Sequence, residues 1–100
     1  MTTSVREIDG KLVAKLCGEL DTAAAPETEQ ALQPLLESGG KDIIIDCTEL
    51  DYIASSGLRI LLGIRKKATE LGSRVVLKNV GDAVRDVLDL TGFISIFEFE

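Results

Sequence analysis

Two adjacent serines, Ser55 and Ser56, stand in the stretch Asp51-Tyr52-Ile53-Ala54-Ser55-Ser56-Gly57-Leu58-Arg59, between an apolar run and a helical pattern. A strand-to-helix junction puts such hydroxyls at a helix N-terminus. Unpaired N–H groups and the helix dipole there favour a hydroxyl and, more strongly, an anion. Two readings of Ser55 stay open: a plain N-cap, or a hydroxyl presented for modification. The reciprocal capping box is absent, because Leu58 and Arg59 occupy the places where Glu or Gln would be needed.

The other candidates for chemistry are fewer. The chain has no His, which removes Ser-His and Cys-His nucleophile pairs, His general bases and His-containing metal sites. Cys17 and Cys47 lie too far apart for a CxxC motif and read as buried, reduced thiols, with a disulfide open only if their strands are neighbours. Gly57 and Gly63 have the spacing of phosphate-loop glycines, but Ile64 stands where Lys is required, and no GxGxxG occurs. Asp46 ends an apolar run, where receiver domains carry a phosphoacceptor aspartate. Such a site also needs acidic groups at the end of the first parallel strand to hold Mg²⁺, and that region reads Leu16-Cys17-Gly18. Asp46 therefore reads as a strand-end residue bonding to the backbone of the following turn. The expectation is a protein with no cofactor, no metal site and no enzymatic activity.

The elements that must position Ser55 follow from periodicity. Residues 4–8 and 11–17 read as strands joined by Asp9-Gly10, a type I′ hairpin signal. A helix over 23–38, capped by Asp21 or Thr22, is bent at Pro34 and stopped by Gly39-Gly40. Ile43-Ile44-Ile45 reads as a central strand covered on both faces, followed by a turn through Glu49-Leu50-Asp51. A second helix over 56–71, a strand over 74–78, a third helix over 81–91 and an edge strand over 94–99 complete the order β-β-α-β-α-β-α-β. Strands separated by single helices imply parallel neighbours, with one antiparallel strand from the hairpin. The expected fold class is α/β: a mixed, mostly parallel sheet of four to five strands with helices packed against it, one domain over 1–100.

Composition agrees with a small globule. One hundred residues, 45% of them hydrophobic, supply one core, built of aliphatic side chains because only 4% are aromatic. Eleven basic against 17 acidic residues give a net charge of −6. The only tight basic run is Arg65-Lys66-Lys67, so no direct nucleic-acid contact is expected. No apolar run reaches the roughly 18 residues of a membrane span, and the N-terminus has no signal-peptide pattern. A cytoplasmic monomer without membrane insertion is expected.

On the second helix, Leu58, Leu61, Ile64, Ala68 and Leu71 recur at core spacing, leaving Ser55, Arg59, Leu62, Gly63 and Lys66 on the adjacent outer face. A mid-helix glycine costs about 1 kcal/mol relative to Ala. Either packing inside the domain or the approach of another surface explains Gly63.

Across essentially its whole length the chain resembles the STAS domain family, and within it the small single-domain anti-sigma-factor antagonists. The resemblance rests on the opening hairpin, Gly18-Glu19-Leu20-Asp21, Ile43-Ile44-Ile45-Asp46, and Tyr52-Ile53-Ala54-Ser55-Ser56-Gly57-Leu58-Arg59. It implies a STAS-like fold and a phosphorylation-switched binding protein. The unphosphorylated form binds an anti-sigma factor that is also a serine kinase and so frees a sigma factor, and a PP2C-type phosphatase resets the switch. It implies Ser55 as phosphoacceptor, with Asp21, Thr22, Ser56, Gly57, Arg59, Leu62 and Gly63 contacting the partner. Many antagonists carry Asp before the serine, where this chain has Ala54. The alternative within the family is a STAS adaptor that is not phosphorylated, in a lipid-transport ABC complex or a larger signalling assembly.

Overall fold

Asp9 and Gly10 both take positive φ, 52° and 78°, as a type I′ turn demands. They fold β1 (Thr2–Ile8) back on β2 (Lys11–Leu20) as an antiparallel hairpin. The computed structural model describes residues 1–100. After the hairpin come α1 (Ala25–Ala31), α2 (Gln33–Leu36), β3 (Ile43–Ile53), α3 (Ser55–Glu70), β4 (Val75–Lys78), α4 (Asp82–Leu90), a 3₁₀ turn (Phe93–Ser95) and β5 (Glu98–Phe99). The five strands lie in the spatial order β1-β2-β3-β4-β5, and every pair after the hairpin is parallel. This is the expected α/β architecture.

Each parallel strand is added to the same side of the one before it. Right-handed crossovers at every step place all the helices on one face of such a sheet. Burial agrees. Ala14, Leu16, Ile43, Ile45, Cys47, Val75 and Leu77 are buried beneath the helices, while Val13, Ile44 and Val76, which point the other way, are only half-buried. The expectation that the Ile43-Ile44-Ile45 strand is covered on both faces is therefore corrected. Cys17 shares the uncovered face, so it is half-buried rather than buried. Cys47 lies on the opposite face and both thiols are free. Enclosure in the core pushes the Cys47 thiol up to about 12.

Besides shifts of one to three residues at the ends of β1, β2, α3, β4 and α4, three element boundaries differ from the sequence reading. The Glu49-Leu50-Asp51 stretch is strand rather than turn, because β3 stays paired with β2 as far as Leu20 opposite Ile53. The pairing slips twice, between Lys15 and Cys17 and between Gly18 and Glu19, each time with one extra residue on β3. Each bulge makes the buried positions step by three, from Cys47 to Leu50 to Ile53, which erases the alternation that marks a strand. The predicted 23–38 helix divides at Leu32 (φ −92°, ψ 1°) into α1 and α2. Pro34 falls in the first turn of α2, where its missing N–H does no harm. The predicted 94–99 strand shrinks to two residues after the 3₁₀ turn. In α4, Val84 and Leu88 are buried while Leu90 is 88% exposed.

Candidate functional site

Leu20 pairs with Ile53, so the chain leaves β2 and β3 side by side at one end of the sheet. The Ala54 N–H donates to the Leu20 carbonyl at 2.9 Å, fixing the start of α3 against the end of β2. On the β2 side, the Asp21 carboxylate accepts from the Ala24 N–H at 2.8 Å, and the Asp21 carbonyl accepts from the Ala25 N–H at 3.1 Å. Asp21 thus shapes the loop that leads into α1, and Thr22 is exposed at its tip. Neither caps the helix directly, since the N-cap position is Ala24.

Ala54, in extended conformation (φ −91°, ψ 171°), is the N-cap of α3, and no side chain caps the helix. Ser55 is the first helical residue and is exposed. The N-cap reading of Ser55 is thereby overturned. Its hydroxyl stands at the positive end of a 16-residue helix, beside N–H groups that precede the first intrahelical bond, from the Leu58 N–H to the Ala54 carbonyl at 3.0 Å. Ser56 turns toward α1, where its hydroxyl is enclosed without a hydrogen-bond partner.

The two glycines of the helix behave oppositely. Gly57 is buried, and a Cβ there would meet the Leu20 Cγ at 2.7 Å and the Ile53 Cγ1 at 2.9 Å. It is the residue that lets α3 settle onto the ends of β2 and β3. Around Gly63 nothing lies within 4 Å of an added Cβ, and the residue is exposed, so packing within the domain does not account for it. Gly63→Ala is expected to stabilise the helix by up to about 1 kcal/mol. That raises the thermal midpoint of a domain this size by roughly 4–8 °C, which circular dichroism would detect.

Ser55, Arg59 and Gly63 are exposed and Leu62 is half-buried along one side of α3, with Asp21 and Thr22 at the adjoining end of the sheet. Gly57 does not join this surface, because it faces inward. Ile60, which sequence reasoning assigned no role, belongs with the site: it forms the floor of the hollows beside Arg59 and Gly63. Its core-like chemistry carried no signal in the sequence.

Asp46 lies away from this surface, on the uncovered face of the sheet. Its carboxylate accepts from the Thr48 N–H at 3.0 Å and from the Thr48 hydroxyl, and Asn79 donates to the same hydroxyl at 2.9 Å. The Thr48 hydroxyl bond, with smaller help from the Thr48 N–H, Lys15 and Lys78, holds the Asp46 carboxyl below its usual 3.8 against partial burial. A depressed carboxyl stabilises the fold above its unfolded value and loses that contribution as pH falls through the folded one. Asp46→Asn is accordingly expected to flatten the fall in thermal midpoint below about pH 4; an unchanged acid limb would refute the assignment.

Residues 2–100 match the profile of the STAS domain family. The chain belongs to the STAS domain family. BtrV of Bordetella bronchiseptica, named as a candidate anti-sigma factor antagonist, is 35% identical over 97 residues, covering 97% of this chain and 84% of that protein. The anti-sigma-B factor antagonist of Staphylococcus aureus is 30% identical over 78 residues, covering 78% and 72% respectively. The crystal structure of an anti-sigma factor antagonist from Mycobacterium paratuberculosis superposes with a TM-score of 0.82 at 33% identity, covering 98% of this chain and 83% of that one. In this STAS domain the Ser55 junction and the Asp21 loop adjoin at one end of the sheet, and the outer side of α3 runs back from there. No helix is long and apolar enough to cross a membrane.

Proposed function

We propose that this STAS domain is a cytoplasmic anti-sigma factor antagonist switched by phosphorylation of Ser55. Unphosphorylated, it binds an anti-sigma factor that is also its serine kinase, through Ser55, Ser56, Arg59, Leu62, Gly63 and the Asp21-Thr22 loop, and so frees a sigma factor. A PP2C-type phosphatase returns Ser55 to its free hydroxyl. The observation that carries the reading is the exposed Ser55 at the start of an otherwise uncapped α3. The relatives named as antagonists support the choice of partner.

Phosphorylation adds about −1.5 to −2 charges and three acceptor oxygens. Within the domain this is tolerated, because the helix dipole and the free N–H groups of the first turn favour an anion. At an interface the balance reverses, since burying a phosphate without a matched cation costs more than most contacts return. Only about 2.7 kcal/mol weakens binding 100-fold, so the switch needs no change of fold. The test is incubation with the anti-sigma factor kinase and ATP. Intact-mass analysis should find one phosphate, on Ser55, and the complex should dissociate as it appears. Phosphate elsewhere, or a complex that survives stoichiometric Ser55 phosphorylation, rejects the proposal.

A further inference from the structure

We infer that the groove between α1–α2 and α3 seats a helical segment of the partner that is apolar on its inner side, acidic toward α3 and basic toward α1. This rests on the antagonist reading above and extends it to a surface well beyond Ser55.

Two hollows of about 380 and 470 Å³ meet at Glu29, Arg59 and Ile60, forming one groove. It follows α3 from Ser56 to Glu70, roughly 21 Å at 1.5 Å per residue. That length suits several turns of a helix better than a small molecule. Leu36 and the edge of Ile60 form the apolar floor over the buried Leu32 and Ile64, and Gly63 opens the wall where a side chain would otherwise narrow it.

The two walls carry opposite charge. Arg59, Lys66 and Lys67, with the single carboxylate of Glu70 at the far end, line the α3 side, while Glu27 and Glu29 line the α1 side. Arg59, Lys66 and Glu29 have no ion-pair partner in the chain, and Lys67 reaches only Glu70, at 3.9 Å between exposed groups. On a chain of net charge −6, this is a mainly cationic wall whose Arg59 and Lys66 stand unpaired beside apolar surface. Amphipathic helices dock in such grooves through an apolar face, and charges at the rim fix their orientation. A segment with acidic groups toward Lys66 and Lys67 and basic groups toward Glu29 matches both walls.

Charge reversal separates docking from general attraction. Lys67→Glu makes the chain more acidic and Glu29→Lys makes it less so; long-range attraction would therefore shift affinity in opposite directions. The inference expects both variants to bind the anti-sigma factor kinase at least tenfold more weakly in titration calorimetry run well below their thermal midpoints. Gly63→Leu, which fills the groove without touching a charge, should weaken binding to a similar degree. Opposite shifts, or wild-type affinity in all three, overturn the groove as the seat even while Ser55→Asp abolishes binding. Wild-type binding by Ser55→Asp would instead remove the switch, and the reversals would still decide the groove. A small molecule found filling the groove, with no effect of its removal on partner affinity, also overturns it.

Discussion

Ser55→Asp is expected to bind the anti-sigma factor at least 100-fold more weakly than wild type, whereas Ser55→Ala should bind constitutively and resist phosphorylation. The asymmetry follows from where the hydroxyl stands. Ser55 is exposed at the first position of α3 and Ala54 takes the cap position, so removing the hydroxyl costs the fold little. An acidic group at the same place is favoured by the helix dipole, so Ser55→Asp should keep or slightly raise the thermal midpoint while losing the partner. That separation of stability from binding is the signature sought, read by calorimetric unfolding alongside binding titration. Wild-type affinity in both variants would sink the switch, and a large loss of stability in Ser55→Ala would restore a capping role.

Gly57→Ala is expected to lower stability by about 1–3 kcal/mol, the usual cost of overpacking. For a domain of this size each kcal/mol is a fall of roughly 4–8 °C in thermal midpoint. The added methyl would lie 2.7 Å from the Leu20 Cγ and 2.9 Å from the Ile53 Cγ1, both in buried side chains that have no free space to yield. Below its midpoint the variant should still bind the partner, because Gly57 faces the sheet. The sign is opposite to that expected for Gly63→Ala six residues on, in the same helix. If Gly57→Ala unfolds at the wild-type temperature, the close approach of α3 to β2 is not what the residue is for; if it folds normally and loses the partner, Gly57 belongs to the contact surface.

The element order was legible because hairpin, helix and strand signals are local. Asp9-Gly10 names its own turn, and the α3 stripe of Leu58, Leu61 and Ile64 names its own buried side. The misread regions share a cause. Bulges opposite Lys15–Cys17 and Gly18–Glu19 make β3 step by three from Cys47 to Leu50 to Ile53, and a partner strand, not the residues themselves, maintains that pattern. Leu90 is the last residue of α4 and lies two positions past Leu88, so helical rotation turns it away from the Val84–Leu88 face into solvent.

For the site, sequence alone determined that two serines stand at a strand-to-helix junction and that Arg59, Leu62 and Gly63 share a side of the following helix. Those are consequences of spacing along one chain. Only the tertiary structure decided that Ser55 is the first helical residue and not the cap, that Gly57 is enclosed while Gly63 is open, and that α1 and α2 face α3 across a groove with oppositely charged walls. Each of these depends on what lies opposite in space. Leu20 and Ile53 close over Gly57, nothing closes over Gly63, and no spacing rule within a single helix carries that difference.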